Sequence, residues 1–210
     1  MGKEIIDSSE QYTLAPLREL DLENEPDLTA YFQILTHPAN IEHFASQPKN
    51  PAELKTELIQ SNIRTYIGKN LLGEIVGGGG IENAPRGQHD HLLVKVVVHP
   101  DYQGNGIGRQ LVIALTDMAF STPAVTTTAT GERKERERIK LDAAVIREIE
   151  GWDRMPRLLR SLGFKFIHLL DNEVDIIEQS TGNIVIKPTE RYEISREDWF
   201  LRRDLRKKTS

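Results

Sequence analysis

The order of hydrophobic and polar residues along the chain predicts an alternation of helices and strands. Apolar residues recur at helical spacing in four stretches, where they would cover one face of a helix. These faces are Leu28, Tyr31, Phe32 and Leu35; Leu54, Leu58 and Ile59; Ile107, Leu111, Leu115 and Met118; and Met155, Leu158, Leu159 and Leu162. Helix starts are predicted at Pro26, at Asn50-Pro51 with Glu53 completing a capping box, and at Asp153. Helix ends are predicted at Pro38 and Gly163.

Short runs of β-branched, aromatic and aliphatic residues predict strands between these helices. The predicted strands are 12–17, 64–67, 72–76, 94–98, 139–146 and 164–170, then a hairpin around 180–183, and a last strand with Tyr192, Ile194 and Trp199-Phe200. The run Gly77-Gly78-Gly79-Gly80 fits two interpretations. It is either a strand that another backbone or a ligand approaches closely, or a flexible loop.

Composition limits the classes of protein that the chain can belong to. Its 210 residues, 38% hydrophobic and 28% charged, favour a single domain spanning residues 1–210. There is no cysteine, which excludes disulfides and thiolate chemistry, and a net charge of −5 argues against general nucleic-acid binding. No apolar run approaches the ~18–20 residues of a membrane helix, and no secretory signal is predicted. We expect a cytoplasmic protein with an exposed insertion near 121–138 and a basic C-terminal tail near 202–210.

The stretch from Val94 to Arg109 carries the strongest functional signal. Four valines among residues 94–98 predict a strand buried on both faces, which Pro100 ends. Gly104, Gly106 and Gly108 then form a loop that leads into a helix. Such a loop directs several backbone N–H groups at one point, where the helix dipole adds positive potential, and this suits a phosphate or pyrophosphate.

Spacing distinguishes among the phosphate-binding patterns. No Gly-Lys-Ser/Thr follows the loop as a Walker motif requires, and the glycines do not fit Gly-x-Gly-x-x-Gly. The segment Gln103-Gly104-Asn105-Gly106-Ile107-Gly108 does fit Gln/Arg-x-x-Gly-x-Gly/Ala. A tight strand–helix turn within a core is the alternative interpretation.

With this motif the sequence resembles the GNAT superfamily of acyl-CoA-dependent N-acyltransferases. Val98-His99-Pro100-Asp101-Tyr102-Gln103 is similar to the family's passage from strand to loop, and Leu158–Phe164 is similar to its later helix ending in Leu-Gly-Phe. Tyr12–Arg18 resembles the family's first strand. The resemblance implies an α/β fold with a mixed, mostly antiparallel central sheet, flanked by helices, whose central strands splay apart.

The resemblance also implies a site for acetyl-CoA as cosubstrate. The strand residues Val96, Val97 and Val98 would offer backbone groups to the pantetheine arm. The loop residues Gln103, Gly104, Asn105, Gly106, Ile107, Gly108 and Arg109 would surround the pyrophosphate with backbone N–H groups, so that the side chains of Gly104, Asn105 and Ile107 could vary. No metal is expected.

The catalytic groups are harder to identify. In the family, a glutamate on the strand before the loop often deprotonates the amine, and a tyrosine in the later helix often protonates the leaving thiolate. The matching positions here are Leu92 and Leu159, and Trp152 replaces an asparagine that is common near the start of that helix.

Three residues near the expected cleft could replace the missing base. They are Glu148, His91 and Glu82, although a solvated surface position is the alternative for each. Alternation along the strand would turn His91 away from the face of residue 92 unless a bulge intervenes. A metal site built from His89, Asp90 and His91 is rejected, because adjacent residues make poor ligand sets.

The leading hypothesis is an N-acetyltransferase that moves an acetyl group from acetyl-CoA to an amine of a small molecule or peptide. The alternatives are a catalytically silent CoA-binding or interaction module of the same fold, and a nucleotide-binding protein of another fold. No nucleic-acid or membrane partner is expected. The late hairpin and last strand could offer sheet edges for a homodimer.

Overall fold

The computed structural model describes residues 8–41, 48–61, 63–82, 92–122, 124–127, 133–136, 140–147, 153–177 and 184–209. Helices and strands follow the mixed order that the sequence predicts. The helices are α1 (Ser8–Gln11), α2 (Glu25–Leu35), α3 (Pro38–Ile41), α4 (Pro51–Gln60), α5 (Ile107–Ser121), α6 (Arg154–Leu162) and α7 (Arg196–Thr209). The strands are β1 (Arg18–Glu19), β2 (Ile63–Lys69), β3 (Ile75–Glu82), β4 (Leu92–Val98), β5 (Ala124–Thr127), β6 (Arg133–Arg136), β7 (Lys140–Ile146), β8 (Lys165–Ile177) and β9 (Ile184–Ser195).

Seven of these strands form one mixed sheet. Its order is β1-β2-β3-β4-β7-β9-β8. The neighbours β4 and β7 run parallel, whereas the other adjacent pairs of this sheet are antiparallel. The predicted fold class, a mostly antiparallel sheet flanked by helices, is therefore confirmed.

Helices pack on both faces of the sheet. On the first face, the wholly buried Leu111 and Leu115 of α5 and Leu159 of α6 belong to the apolar core over the centre of the sheet. On the second face, α2 packs on β3 and β4, while α4 packs on β2. This second core contains Tyr31 and Leu54.

The four-glycine run is a buried part of β3, so the flexible-loop interpretation is wrong. A Cβ added at Gly77 would lie 2.5 Å from the Val97 carbonyl oxygen, and one at Gly78 would lie 2.8 Å from the Tyr31 ring. Side chains at these positions would push neighbouring strands and helices apart. The glycines therefore allow α5 and α2 to pack closely on opposite faces of the sheet.

Most predicted helix boundaries agree with the structure. The Asn50 side chain accepts from the Glu53 N–H at 2.9 Å, and Glu53 Oε2 accepts from the Lys49 N–H rather than from that of Asn50. Gly163 ends α6 with φ +102°. Two expectations are wrong. Ile59 is exposed instead of sharing the buried face of α4, and Asp153 makes no side-chain capping hydrogen bond.

The first predicted strand is misplaced. In the segment 12–17 only Leu14 forms an isolated bridge, with Asn70, and the paired strand β1 follows at Arg18–Glu19. The segment is held in a different way. The Leu14 N–H donates to the Gln110 side chain at 3.0 Å, and Pro16 has no N–H to donate to a sheet.

The chain end also differs from expectation. Trp199 and Phe200 lie in α7 and not in a strand, and the basic tail continues that helix to Thr209. The Ser195 hydroxyl accepts from the Asp198 N–H at 3.0 Å and so caps the start of α7. Trp199 is fully buried, and its Nε1 donates to Asp117 on α5 at 2.7 Å, which fixes α7 against the core.

The region 121–138 is expected to be an exposed insertion. Its described residues include the antiparallel strands β5 and β6, which form a separate two-stranded sheet. Along β8 and β9 the register runs to the pair Ile177 and Ile184, which agrees with the predicted late hairpin, although residues 178–183 lie outside the described ranges. In the described part of the chain, no helix is long and apolar enough to cross a bilayer.

Candidate functional site

The site lies where β4 and β7 part. Pairing between these two strands is recorded at Leu92 with Asp142 and at Leu93 with Ala143, and it does not continue along the described residues beyond them. On its other side β4 stays paired with β3 up to Val98. The sheet therefore opens between its two central strands, as the predicted splay requires.

A β-bulge marks the point where the opening begins. The register of β3 and β4 shifts between Gly78 and Gly80, and Lys95 in the bulge has a φ of +51°. A bulge bends its strand and redirects the side chains beside it. The expectation of a strand buried on both faces is wrong for β4, because Val94, Val96 and Val98 are only partly buried, whereas Val97 is buried.

The open edge of β4 carries backbone polar groups. The His99 N–H donates to the Val76 carbonyl on β3 at 2.8 Å, so the preceding carbonyl, that of Val98, points toward the opposite edge. Alternation then directs the N–H and C=O of Val96 to this edge as well. Extended backbone groups of this kind can hydrogen-bond an amide-containing chain laid along the strand.

The glycine loop follows β4 after a 3-10 turn, Pro100–Tyr102. Gly104 and Gly106 have φ values of +80° and +82°, a backbone conformation that side chains disfavour. A Cβ at either position would meet nothing within 4 Å, so the space above both glycines is open. Gly106 precedes α5 as its N-cap and makes no side-chain capping hydrogen bond.

This geometry suits an anionic group. The first N–H groups of a helix have no intrahelical acceptor, and here the first helical bond recorded for α5 is from the Gln110 N–H to the Gly106 carbonyl. The exposed Arg109 adds positive charge in the same turn. The expectation that positions 104 and 107 can vary is wrong. A side chain at position 104 would be strained by the φ of +80°, and Ile107 is fully buried beside Val76 and Leu111.

Asn40 holds the loop from the side of α2. Its amide Nδ2 donates to the Ile34 carbonyl at 2.8 Å and to the Val98 carbonyl at 3.2 Å. Its Oδ1 accepts from Gln103 Nε2 at 3.0 Å, and the same Nε2 donates to the Val98 carbonyl at 3.2 Å. The Gln103 side chain therefore braces the loop from beneath, and its amide group is engaged within the protein.

Tyr102 holds the other side of the loop. Its hydroxyl donates to Glu74 Oε2 at 2.6 Å, and its ring packs against those of Tyr12 and His99. The hydrogen bond raises the pKa of Tyr102 to about 12 and, together with one from Asn70, lowers the pKa of Glu74. The loop is thus held on both sides, as a preorganised binding site requires.

Of the three predicted catalytic residues, the described part of the chain includes Glu82. Glu148 and His91 lie outside the described residues, as do Trp152 and the His89-Asp90 pair. Glu82 is at the last position of β3, where its Cα is paired with Leu92. The structure therefore brings Glu82 beside the strand pair at which the opening begins, but separates it from β7 by β4.

The position expected for a thiolate-protonating tyrosine is in the core. Leu159 on α6 is fully buried in the main apolar cluster. Tyr192 of β9 belongs to the same cluster, and its hydroxyl donates to Glu190 and accepts from Arg160 at 2.8 Å. Burial and the Glu190 contact raise the pKa of Tyr192 to about 12. These partners are consistent with a structural role for Tyr192.

Comparison with known proteins agrees with this geometry. The family model described as Acetyltransferase (GNAT) family matches residues 25–137, which include β4, the glycine loop and α5. The chain therefore belongs to the GNAT acetyltransferase family. No curated protein sequence matches the chain at a significant level.

Solved structures share the fold at low sequence identity. Spermidine N-acetyltransferase from Vibrio cholerae, in complex with CoA and spermine, aligns with a TM-score of 0.66 at 16% identity, over 90% of this chain and 98% of that one. Ribosomal-protein-S5-alanine acetyltransferase from Vibrio fischeri aligns with a TM-score of 0.62 at 16% identity, over 87% and 93%. A probable GNAT acetyltransferase from Chromobacterium violaceum aligns with a TM-score of 0.61 at 14% identity, over 87% and 88%.

Two residues that lie beside the opening or the glycine loop were missed from the sequence. Asn40 had no local signal, because its partners at the loop, Val98 and Gln103, lie 58 and 63 residues away in the chain. Asp142 did have a local signal, since it is the single carboxylate within the otherwise apolar segment Leu141–Ile146.

Proposed function

We propose that the protein is an acetyl-CoA-dependent N-acetyltransferase acting on an amine of a small molecule or peptide. One observation carries the proposal. The parting of β4 from β7 leads directly to a loop whose two positive-φ glycines leave open space over the N-terminus of α5. A slot along a strand followed by an anion site matches a long amide-containing arm that ends in a pyrophosphate.

Each part of the donor has a matching group in the chain. The N–H and C=O of Val96 on the open edge would bind the amides of the pantetheine arm. Backbone N–H groups from Gly104 to Arg109 would bind the pyrophosphate. The thioester, which supplies the acetyl group, would then lie toward the closed end of the opening, near Leu93 and Ala143.

The acceptor is proposed only by chemical class. Spermidine and an alanine peptide with a free amino group are the first amines to test, because two proteins of similar fold are named for spermidine and for an alanine of a ribosomal protein. Thiol release from acetyl-CoA would be followed with each amine, and mass spectrometry would identify the acetylated product. We propose a cytoplasmic location and, through the exposed edge strand β8, a homodimer.

A catalytically silent CoA-binding module is the second candidate. The leucines at positions 92 and 159, where the family often has its base and acid, favour it. This candidate predicts that acetyl-CoA binds while no amine in a broad panel is acetylated. Robust transfer to any one amine would eliminate it, and binding without transfer would eliminate the enzyme.

A further inference from the structure

We propose that Asp142 of β7 is the general base of the reaction, an inference that rests on the proposed acetyl transfer. Alkyl amines are protonated at neutral pH and must lose a proton before they can attack a thioester. The leucine at position 92 cannot accept that proton. Another group near the end of the opening must therefore accept the proton.

Asp142 occupies the corresponding place on the opposite wall. Its Cα is paired with that of Leu92, and the pairing of the two strands is last recorded one residue later, at Leu93 and Ala143. Paired positions on neighbouring strands are about 5 Å apart, so a carboxylate at 142 serves the same space as one at 92. The residue is 4% exposed, a degree of burial that aspartate seldom shows.

The Asp142 side chain also lies on the face of the sheet that carries α2 and the loop anchor. Leu141 and Ala143 belong to the core beneath α5 and α6, so alternation turns Asp142 to the opposite face. On that face α2 packs on β3 and β4, and Asn40 anchors the loop. Asp142 therefore lies on the same face of the sheet as the contact between α2 and β4.

Two other carboxylates share this row, but both are less suited to the task. Glu193 of β9 is paired with Asp142 on the side away from the opening, and Lys140 Nζ lies 3.0 Å from its carboxylate. Glu82 is separated from β7 by β4. Asp142 alone of the three stands on a wall of the opening itself.

The proposed step can be written in full. Asp142 takes one proton from the acceptor ammonium, directly or through one water, and later releases it to solvent. The amine nitrogen then forms a bond to the thioester carbon, and the C–S bond breaks. The second nitrogen proton ends on the departing sulfur, so that the products are an amide and the free thiol of CoA.

The experiment compares the Asp142→Asn variant with wild type and with Glu193→Gln as the matched control. Isothermal titration with CoA monitors the fold and the donor site. Thiol release is measured with spermidine, with an alanine-terminal peptide and with hydroxylamine, which is already unprotonated at neutral pH. We expect D142N to bind CoA normally and to lose about 100-fold or more in kcat with the first two amines. The loss with hydroxylamine should be much smaller, Asp142→Glu should restore part of the rate, and E193Q should resemble wild type.

Other outcomes overturn the inference. Full activity of D142N contradicts it, as does an equal loss with protonated and neutral nucleophiles. Loss of CoA binding by D142N would show that the carboxylate is structural. If wild type binds acetyl-CoA and acetylates none of the amines, the base has no reaction to serve and the silent module is favoured. If wild type does not bind acetyl-CoA, the proposed function itself has failed, and the inference falls with it.

Discussion

Replacing Asn40 by alanine should weaken both the fold and the donor site. The residue is 3% exposed and takes part in three hydrogen bonds, to Ile34, Val98 and Gln103. At about 1 kcal/mol for each bond, the variant should lose about 3 kcal/mol in its free energy of unfolding. Val98 and Gln103 retain their mutual bond at 3.2 Å, so the loop should be loosened and not lost.

Urea unfolding and CoA titration measure the two effects separately. If about 1 kcal/mol of the loss is specific to the loop, CoA binding should weaken about fivefold. The matched control is Asn24→Ala at the start of α2, the neighbouring helix whose Ile34 carbonyl Asn40 binds; this change removes the N-cap bond to the Asp27 N–H. It should cost about 1 kcal/mol and leave CoA affinity unchanged.

The result that refutes this reasoning is equally specific. If Asn40→Ala and Asn24→Ala destabilise the protein equally and neither changes CoA affinity, Asn40 does not brace the loop. Weaker CoA binding in both variants would assign the effect to a general loosening of α2 and α3 instead of to the Asn40 contacts.

Three further predictions concern the loop, its support and the last helix. Gly106→Ala should lower stability by about 1–2 kcal/mol, because its φ is +82°, and it should weaken CoA binding. Gly108→Ala, whose Cβ would meet only one methyl group at 3.5 Å, should change neither stability nor CoA binding. If the two variants behave alike in urea unfolding and in CoA titration, this prediction is contradicted. Tyr102→Phe should raise the pKa of Glu74 toward its ordinary value, seen by NMR titration of that carboxyl. Because the folded-state pKa of Glu74 is lowered, the stability that this bond contributes is present above the ordinary carboxyl pKa and is lost as pH falls through the folded value, and an unchanged titration would refute the assignment. Trp199→Phe should lose about 1 kcal/mol in urea unfolding, since the indole hydrogen bond to α5 disappears while most of the ring packing remains, and a cost near zero would contradict this role.

The sequence predicted those features that depend on neighbouring residues, namely the glycine loop and the starts of two helices. The loop from Gln103 to Arg109 follows from glycine spacing, because glycine adopts the positive φ of positions 104 and 106 without the strain that a side chain brings. Pro26 placed the start of α2 closely, and the Asn50 cap with Pro51 placed the start of α4. Each of these signals lies within a few residues of the feature that it specifies.

Features that depend on distant contacts were misjudged. Trp199 and Phe200 suit a strand by propensity, but the Ser195 cap and the contact with α5 make them helical. Asn40 acts through partners far along the chain, which no local pattern reveals. Asp142 was visible as an isolated carboxylate, although its significance depends on the strand that lies beside it in the sheet.

Isothermal titration of the wild-type chain with acetyl-CoA and CoA, and with ATP and NAD for comparison, tests the central claim most directly. The account predicts that acetyl-CoA and CoA bind at one shared site and more tightly than either nucleotide. It also predicts that Gly106→Ala weakens that binding while Gly108→Ala does not. No binding of CoA at high micromolar concentration, or tighter binding of ATP or NAD, would contradict it.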